Sequence, residues 1–498
     1  MGDGLMLGID VGTTQCKAAA FTLAGTRVAY ASTPTPIHRE GPEAAWHDPE
    51  ELWAAVRRVI RETVEQAASQ GYGDWLALGI SSFGEAGVLV GPDGQSRGKV
   101  LAWFDGRTEK TFQSWAPRLD LEHLRQRTGL AADPTYSVFK MLWLKENRPQ
   151  LLEAGTSWLP VADWVAYRLT GQRSVGLSQA SRTLLLDLTQ ERWNEDLLQA
   201  AGLPKSLLPE LRMPGQVIGR VTQHAAEATG LPQGLPVGEA GHDQVMAAAG
   251  VGAIQPGILL NSCGTAETLF AAVPREAVGP ALASGKAVIG PHALPGLYYA
   301  MVTLRASGAT LDWFLRATHV DMAQAMDEAA QACAAEEGLF FFPYLRNVSD
   351  DPTDPDLHGG LMLGLRETHT RAHMTRAVLE GLAFEARRLL ERLRSAGAVP
   401  RLGRPHIRVV GGPSQNRLWM QLKAATLGAT LESCTEPEAG ARGAAWLAAR
   451  AAGAEPPAIT DEAAAIYQAS PAEERSYQER YETYASILDT LTRALERP

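Results

Sequence analysis

The chain has 498 residues, beyond the length at which one hydrophobic core stops growing, so at least two large domains are expected. Apolar residues make up 45% and charged residues 20%, the proportions of an ordinary soluble globular protein. A net charge of −10 weighs against nucleic acid or an anionic membrane as partner, and no run approaches the ~20 apolar residues of a membrane-spanning helix. The cysteines Cys16, Cys263, Cys333 and Cys434 form no C-x-x-C or Cys/His cluster, so neither zinc nor a disulfide framework is suggested. The opening MGDGLMLGIDVG lacks a basic segment followed by an apolar one, so no leader is expected and the location expected is cytoplasmic.

The apolar run Leu5–Val11 reads as a strand, Gly12-Thr13-Thr14 as a turn, and Lys17–Leu23 as a second strand. Apolar residues at helical spacing (Leu52, Val56, Ile60, Val64) predict a helix over 49–69. Strands are expected at 75–81 and 86–90, then helices near 137–147, 164–169 and 193–200. A second strand-turn-strand occupies 257–272, with Ser262-Cys263-Gly264-Thr265 at its turn. Two such units, each opening one half, suggest a duplicated α/β architecture with a cleft between halves. Helical periodicity returns at 374–393. His406–Val410 reads as a buried strand that runs into Gly411-Gly412-Pro413-Ser414-Gln415-Asn416 and a helix over 417–427, and a small-residue helix follows at 442–452.

Both glycine turns suit phosphate, because glycine lets backbone N–H groups approach an anion and threonine hydroxyls add donors. Asp10, just before the first turn, suits hydrated Mg²⁺, and Lys17 could neutralise phosphate charge. Taken singly, each turn is also explained as plain hairpin punctuation. There is no G-x-x-x-x-G-K-[ST] loop. Asp243, in Gly241-His242-Asp243-Gln244 before a small-residue helical run, is by position alone a helix cap. Its functional reading is a general base for a hydroxyl undergoing phosphoryl transfer, with His242 as a weaker competitor.

In order along the chain, these blocks resemble the FGGY carbohydrate kinases. DVGTTQCKA is similar to that family's first phosphate loop, and Trp46-x-Asp48-Pro49 with Trp53 to its W-x-x-D-P…W segment. Gly79-Ile80-Ser81 and Trp103-Phe104-Asp105-x-Arg107-Thr108 fall where its substrate-domain motifs occur. Gly360, Gly364, His373, Ala377 and Glu380 fit its C-terminal signature, and GGPSQN resembles its adenosine-binding turn. The resemblance implies the actin-like ATPase fold: two ribonuclease-H-like domains, a substrate-binding one over 1–250 and a nucleotide-binding one over 251–498. It implies Asp243 as base, Asp10 holding Mg²⁺ through water, and Thr13, Thr14, Lys17, Gly264, Thr265, Gly308, Gly412 and Asn416 at ATP. The partners expected are a small sugar or polyol and ATP/ADP, with no nucleic acid or membrane; relatives are often dimers or tetramers, which allows a homodimer.

For the substrate, glycerol kinases have Arg-Glu and xylulokinases Met-His where this chain has Gly84-Glu85. Glu85, Tyr136, Asp243 and Gln244 match polyol contacts, and Trp103 supplies an apolar wall. Gly84 is expected to remove a donor and open space, which points to a ketose such as a pentulose or a C4–C6 polyol. Asp356-Leu357-His358-Gly359 departs from the Ala-Arg-Gly of many relatives. The alternatives are a catalytically silent relative that senses sugar or nucleotide, and an ATPase of the actin or chaperone type that binds protein.

Overall fold

The structure, a computed structural model, describes residues 4–332, 338–345, 359–459 and 463–495. Cys333, Asp356, Leu357 and His358 lie outside them. Two large sheets organise the chain. The first runs, edge to edge, Val217–Arg220, Pro236–His242, Trp75–Ser82, Leu5–Val11, Gln15–Thr22 and Arg27–Pro34. The second runs Ala465–Tyr467, Thr430–Ser433, His406–Val410, Ile258–Cys263, Glu267–Pro274, Leu297–Leu304 and Val288–Pro291.

The two share one plan. In each, the first strand pairs antiparallel with the strand that follows its glycine turn, and that strand pairs antiparallel with a third. On its other side the first strand pairs parallel with a later strand, which pairs parallel with the next, and an antiparallel strand closes that edge. The duplication expected from the two turns is present as strand order and sense. Parallel central strands are covered on both faces, which is why Leu5–Val11 reads as a largely apolar run without alternation.

Local chemistry sets the helix ends. Asp48 caps the helix Pro49–Ser69 by accepting from the N–H groups of Glu50 and Glu51, and Pro49 fits the first turn, where no intrahelical bond is lost. The helix Arg371–Ser395 opens with Thr370 and His373 capping each other's backbone. Deeper in that helix, buried Glu380 takes hydrogen bonds from Arg376 and Arg480. Two residues of the family-like signature, His373 and Glu380, thus cap and anchor this helix.

The helix Ala439–Ala451 arises late in the chain but packs on the first sheet and on the helix Asp243–Gly250. A Cβ on Gly8 would stand 1.8 Å from the Ala441 carbonyl oxygen, and one on Gly79 1.9 Å from that of Ala444. Only glycine permits this approach. No described helix is long and apolar enough to cross a membrane.

Candidate active site

Asp10 lies near the end of the strand Leu5–Val11, beside the first turn. Burial lifts its carboxyl above the usual range, while Lys17 and Ser81 oppose the lift. Ser81 Oγ donates to Asp10 Oδ1 at 2.8 Å. Lys17 Nζ is 2.9 Å from Glu438 Oε2, at the start of the helix Ala439–Ala451. The expected phosphate-neutralising lysine is thus also an ion-pair partner, and Glu438 is a site neighbour that sequence reading missed. In the turn itself, Thr13 Oγ1 accepts from Trp103 Nε1 at 3.0 Å, while Thr14 is exposed. That bond ties the expected apolar wall to the expected phosphate turn.

The second turn differs beneath its surface. Gly264 N–H donates to the Ala266 carbonyl at 2.8 Å, and Gly308 N–H to the Gly264 carbonyl at 3.0 Å. Below it, fully buried Lys423 donates to Glu267 Oε1 at 2.5 Å and to Asn261 Oδ1 at 3.2 Å, and lies 3.4 Å from Cys263 Sγ. Gly264, Thr265, Gly308, Gly412 and Asn416 line one cleft of about 950 Å³, together with apolar Leu311, Met326 and Leu418. That volume and mixed lining are those of a small-molecule site. A side chain at Gly412 would meet nothing within 4 Å, so the backbone there is open to a ligand. Asn416 caps the following helix, Arg417–Leu427, through a bond from Trp419 N–H at 3.0 Å.

Asp243 opens the helix Asp243–Gly250, with His242 at the cap position before it. Its Oδ1 accepts from Gln244 N–H at 2.6 Å. Burial, then the neighbouring carboxylates Asp10 and Glu85, push its carboxyl up to about 7, against the pull of Gln244 N–H and Arg182. His242 is buried, and burial followed by Arg182 holds it well below the usual range, so its ring is neutral. A neutral imidazole 3.2 Å from Asp243 adds no charge to it.

Glu85 is not a solvated turn residue. It is 7% exposed, adopts φ of 64°, and its carbonyl accepts from Ser137 Oγ at 2.9 Å. Arg182 Nε donates to Glu85 Oε1 at 2.6 Å, and the guanidinium stands 5.1 Å over the ring of Tyr136. The space expected at Gly84 is not open: a Cβ there would lie 2.9 Å from His242 Cδ2 and 3.0 Å from Arg182 Cγ. The missing side chain admits those two residues. Lys140, also unanticipated, is fully buried and donates to the carbonyls of Trp103, at 3.1 Å, and Thr135. Burial lowers its ammonium to about 8, with Glu85, Asp105 and Asp133 opposing. Nothing local in the sequence announces Arg182 or Lys140, since each meets its partners only after folding. The Trp103–Thr108 motif is partly scaffolding, because Asp105 is chelated by Arg107 and accepts from Ala45 N–H at 3.0 Å.

Comparison with known proteins shows the family. The N-terminal domain of the FGGY family of carbohydrate kinases matches residues 5–250, and its C-terminal domain matches 259–452. The L-fuculokinase of Escherichia coli K12 is 30% identical over 448 residues, 89% of this chain and 91% of that one. The glycerol kinase of Thermus brockianus is 31% identical over 466 residues, 90% of each chain. The xylulose kinase of Rhodospirillum rubrum superposes with a TM-score of 0.88 at 26% identity, covering 99% of this chain and 100% of that one. With family models matched over residues 5–250 and 259–452, the chain belongs to the FGGY family of carbohydrate kinases, enzymes that phosphorylate sugars or polyols.

Proposed function

We propose that this enzyme moves the γ-phosphoryl group of ATP to a hydroxyl of a ketose such as a pentulose, or of a C4–C6 polyol, with Asp243 as general base. The observation that carries the reading is the carboxyl of Asp243. It is pushed up to about 7 by burial and by Asp10 and Glu85, which poises it to take a proton at neutral pH. The substrate hydroxyl oxygen attacks the γ-phosphorus, the bond from phosphorus to the β,γ-bridging oxygen breaks, ADP leaves, and the hydroxyl proton passes to Asp243. Glu85, Trp103, Tyr136 and Gln244 line the substrate end in this reading. Gly264, Thr265, Gly308, Gly412 and Asn416 hold the nucleotide, with Thr13, Thr14 and Lys17 toward its phosphates.

A divalent cation fits beside Asp10. Its carboxylate raises the proton affinity of Asp243, and positive charge near both would relieve the repulsion. Asp10 would hold Mg²⁺ through water, and the ion when bound offsets phosphate charge. A 1–250 substrate domain and a 251–498 nucleotide domain complete the proposal. A silent sensor is not favoured, because Asp10, Thr13, Thr265 and Asp243 are all in place. The test is coupled ADP release with fuculose, xylulose, glycerol, erythritol and gluconate as acceptors. Sugar-dependent release is expected; none with any acceptor, alongside retained ATP hydrolysis, would overturn the reading.

A further inference from the structure

Arg182 follows the short helix Leu177–Ser181 and reaches Glu85 from 97 residues away. Its Nε and Nη2 both engage Glu85 Oε1, which leaves Oε2 to accept from a ligand. Its remaining nitrogen, Nη1, is buried and has no hydrogen-bond partner among the described residues. The same is true of His242 Nδ1 and Gln244 Oε1, in the residues on either side of Asp243. A buried guanidinium N–H without an acceptor is costly, so Nη1 of Arg182, on a side chain held beside Glu85, is a donor in want of an acceptor. The absence of a side chain at Gly84 is what lets Arg182 and His242 come close to the backbone there.

We infer that Arg182 is a substrate-contacting, specificity-determining residue: Nη1 donates to a sugar oxygen next to the hydroxyl accepted by Glu85, and the paired charges select a neutral ketose or polyol over an aldonate. The inference rests on the kinase reading above. Its charge argument is direct. The positive charge of Arg182 is taken up by Glu85, so an anionic acceptor finds no unpaired cation there to balance its charge. A neutral sugar needs only the donor and acceptor that Nη1 and Oε2 present side by side.

The test uses the full-length enzyme at saturating ATP with its best neutral acceptor from the panel above, the monodeoxy derivatives of that acceptor, and gluconate. Arg182→Met should lower kcat/KM for the neutral acceptor by about tenfold to a hundredfold, chiefly through KM, the value of a hydrogen bond from a charged donor. One monodeoxy derivative should lose the same factor with the unmodified enzyme and lose nothing further with Arg182→Met. Arg182→Lys keeps a cation beside Glu85, and with it the fold if the methionine variant is too unstable. It should regain the thermal midpoint and recover little of the lost kcat/KM. Full recovery by lysine, or equal losses for every deoxy derivative in both enzymes, would reduce Arg182 to a support for Glu85 and overturn the inference. An unmodified enzyme that prefers gluconate would overturn the charge argument. Failure of the kinase reading itself shows earlier, as absence of turnover before any variant is made.

Discussion

The two glycine turns occupy equivalent places in two sheets of the same plan, yet their charges are arranged oppositely. At the first, Lys17 and Glu438 form a pair whose lysine is 27% exposed, and Asp10 is raised chiefly by burial. At the second, Lys423 and Glu267 are 1% and 0% exposed and lie under the turn rather than in it. The first turn thus keeps its ion pair partly open to solvent. The second seals its ion pair away and offers backbone and a threonine hydroxyl. The two loops are similar in plan, and burial separates them: in the proposed reading the first serves the chemistry and the second the grip on nucleotide.

The largest effect should come from the chemical side. Asp243→Asn should lower kcat by about 10² to 10⁴, the range for loss of a general base. Because the base must be ionised, kcat/KM of the unmodified enzyme should rise about tenfold per pH unit up to about pH 7 and flatten above it, from burial and from the carboxylates of Asp10 and Glu85. Steady-state kinetics across that range should show this acid limb vanish in the variant; an unchanged limb would assign the proton elsewhere.

Next in size is the sealed pair. Lys423→Met leaves Glu267 buried without a counter-ion and should cost about 3–5 kcal/mol in urea unfolding, much of it restored by adding Glu267→Gln. The open pair should respond far less, with Lys17→Met costing no more than about 1 kcal/mol of stability. A larger stability loss at Lys17 than at Lys423 would break the contrast. The smallest effect belongs to the grip: Thr265→Ala should raise KM for ATP by up to about tenfold with kcat nearly constant, as expected for one neutral hydrogen bond.

What the sequence discloses follows from range. Strong local patterns fixed Leu5–Val11, Pro49–Ser69, Ser137–Asn147 and Arg417–Leu427, because periodicity and capping act within a few residues. The strands Arg27–Pro34 and Leu297–Leu304 and the helix Pro471–Leu495 escaped notice. In the candidate site, residues inside short motifs were legible. Arg182, Lys140 and Glu438 were not, since their meaning arises only from partners far along the chain. Gly84 shows the same limit from the other side: its neighbours in space, not in sequence, decide whether a missing side chain makes a hole.

The helix Ala439–Ala451 sets an order on the birth of this molecule. The first sheet's strands have all been synthesised by residue 242, but the face around Gly8 and Gly79 has no cover until that helix exists. On the ribosome, at ~5–20 residues per second, that apolar face waits for some two hundred further residues, an interval of ten seconds or more. The amino-terminal half should therefore need a chaperone during synthesis, and a chain stopped near residue 250 should aggregate where the complete one folds.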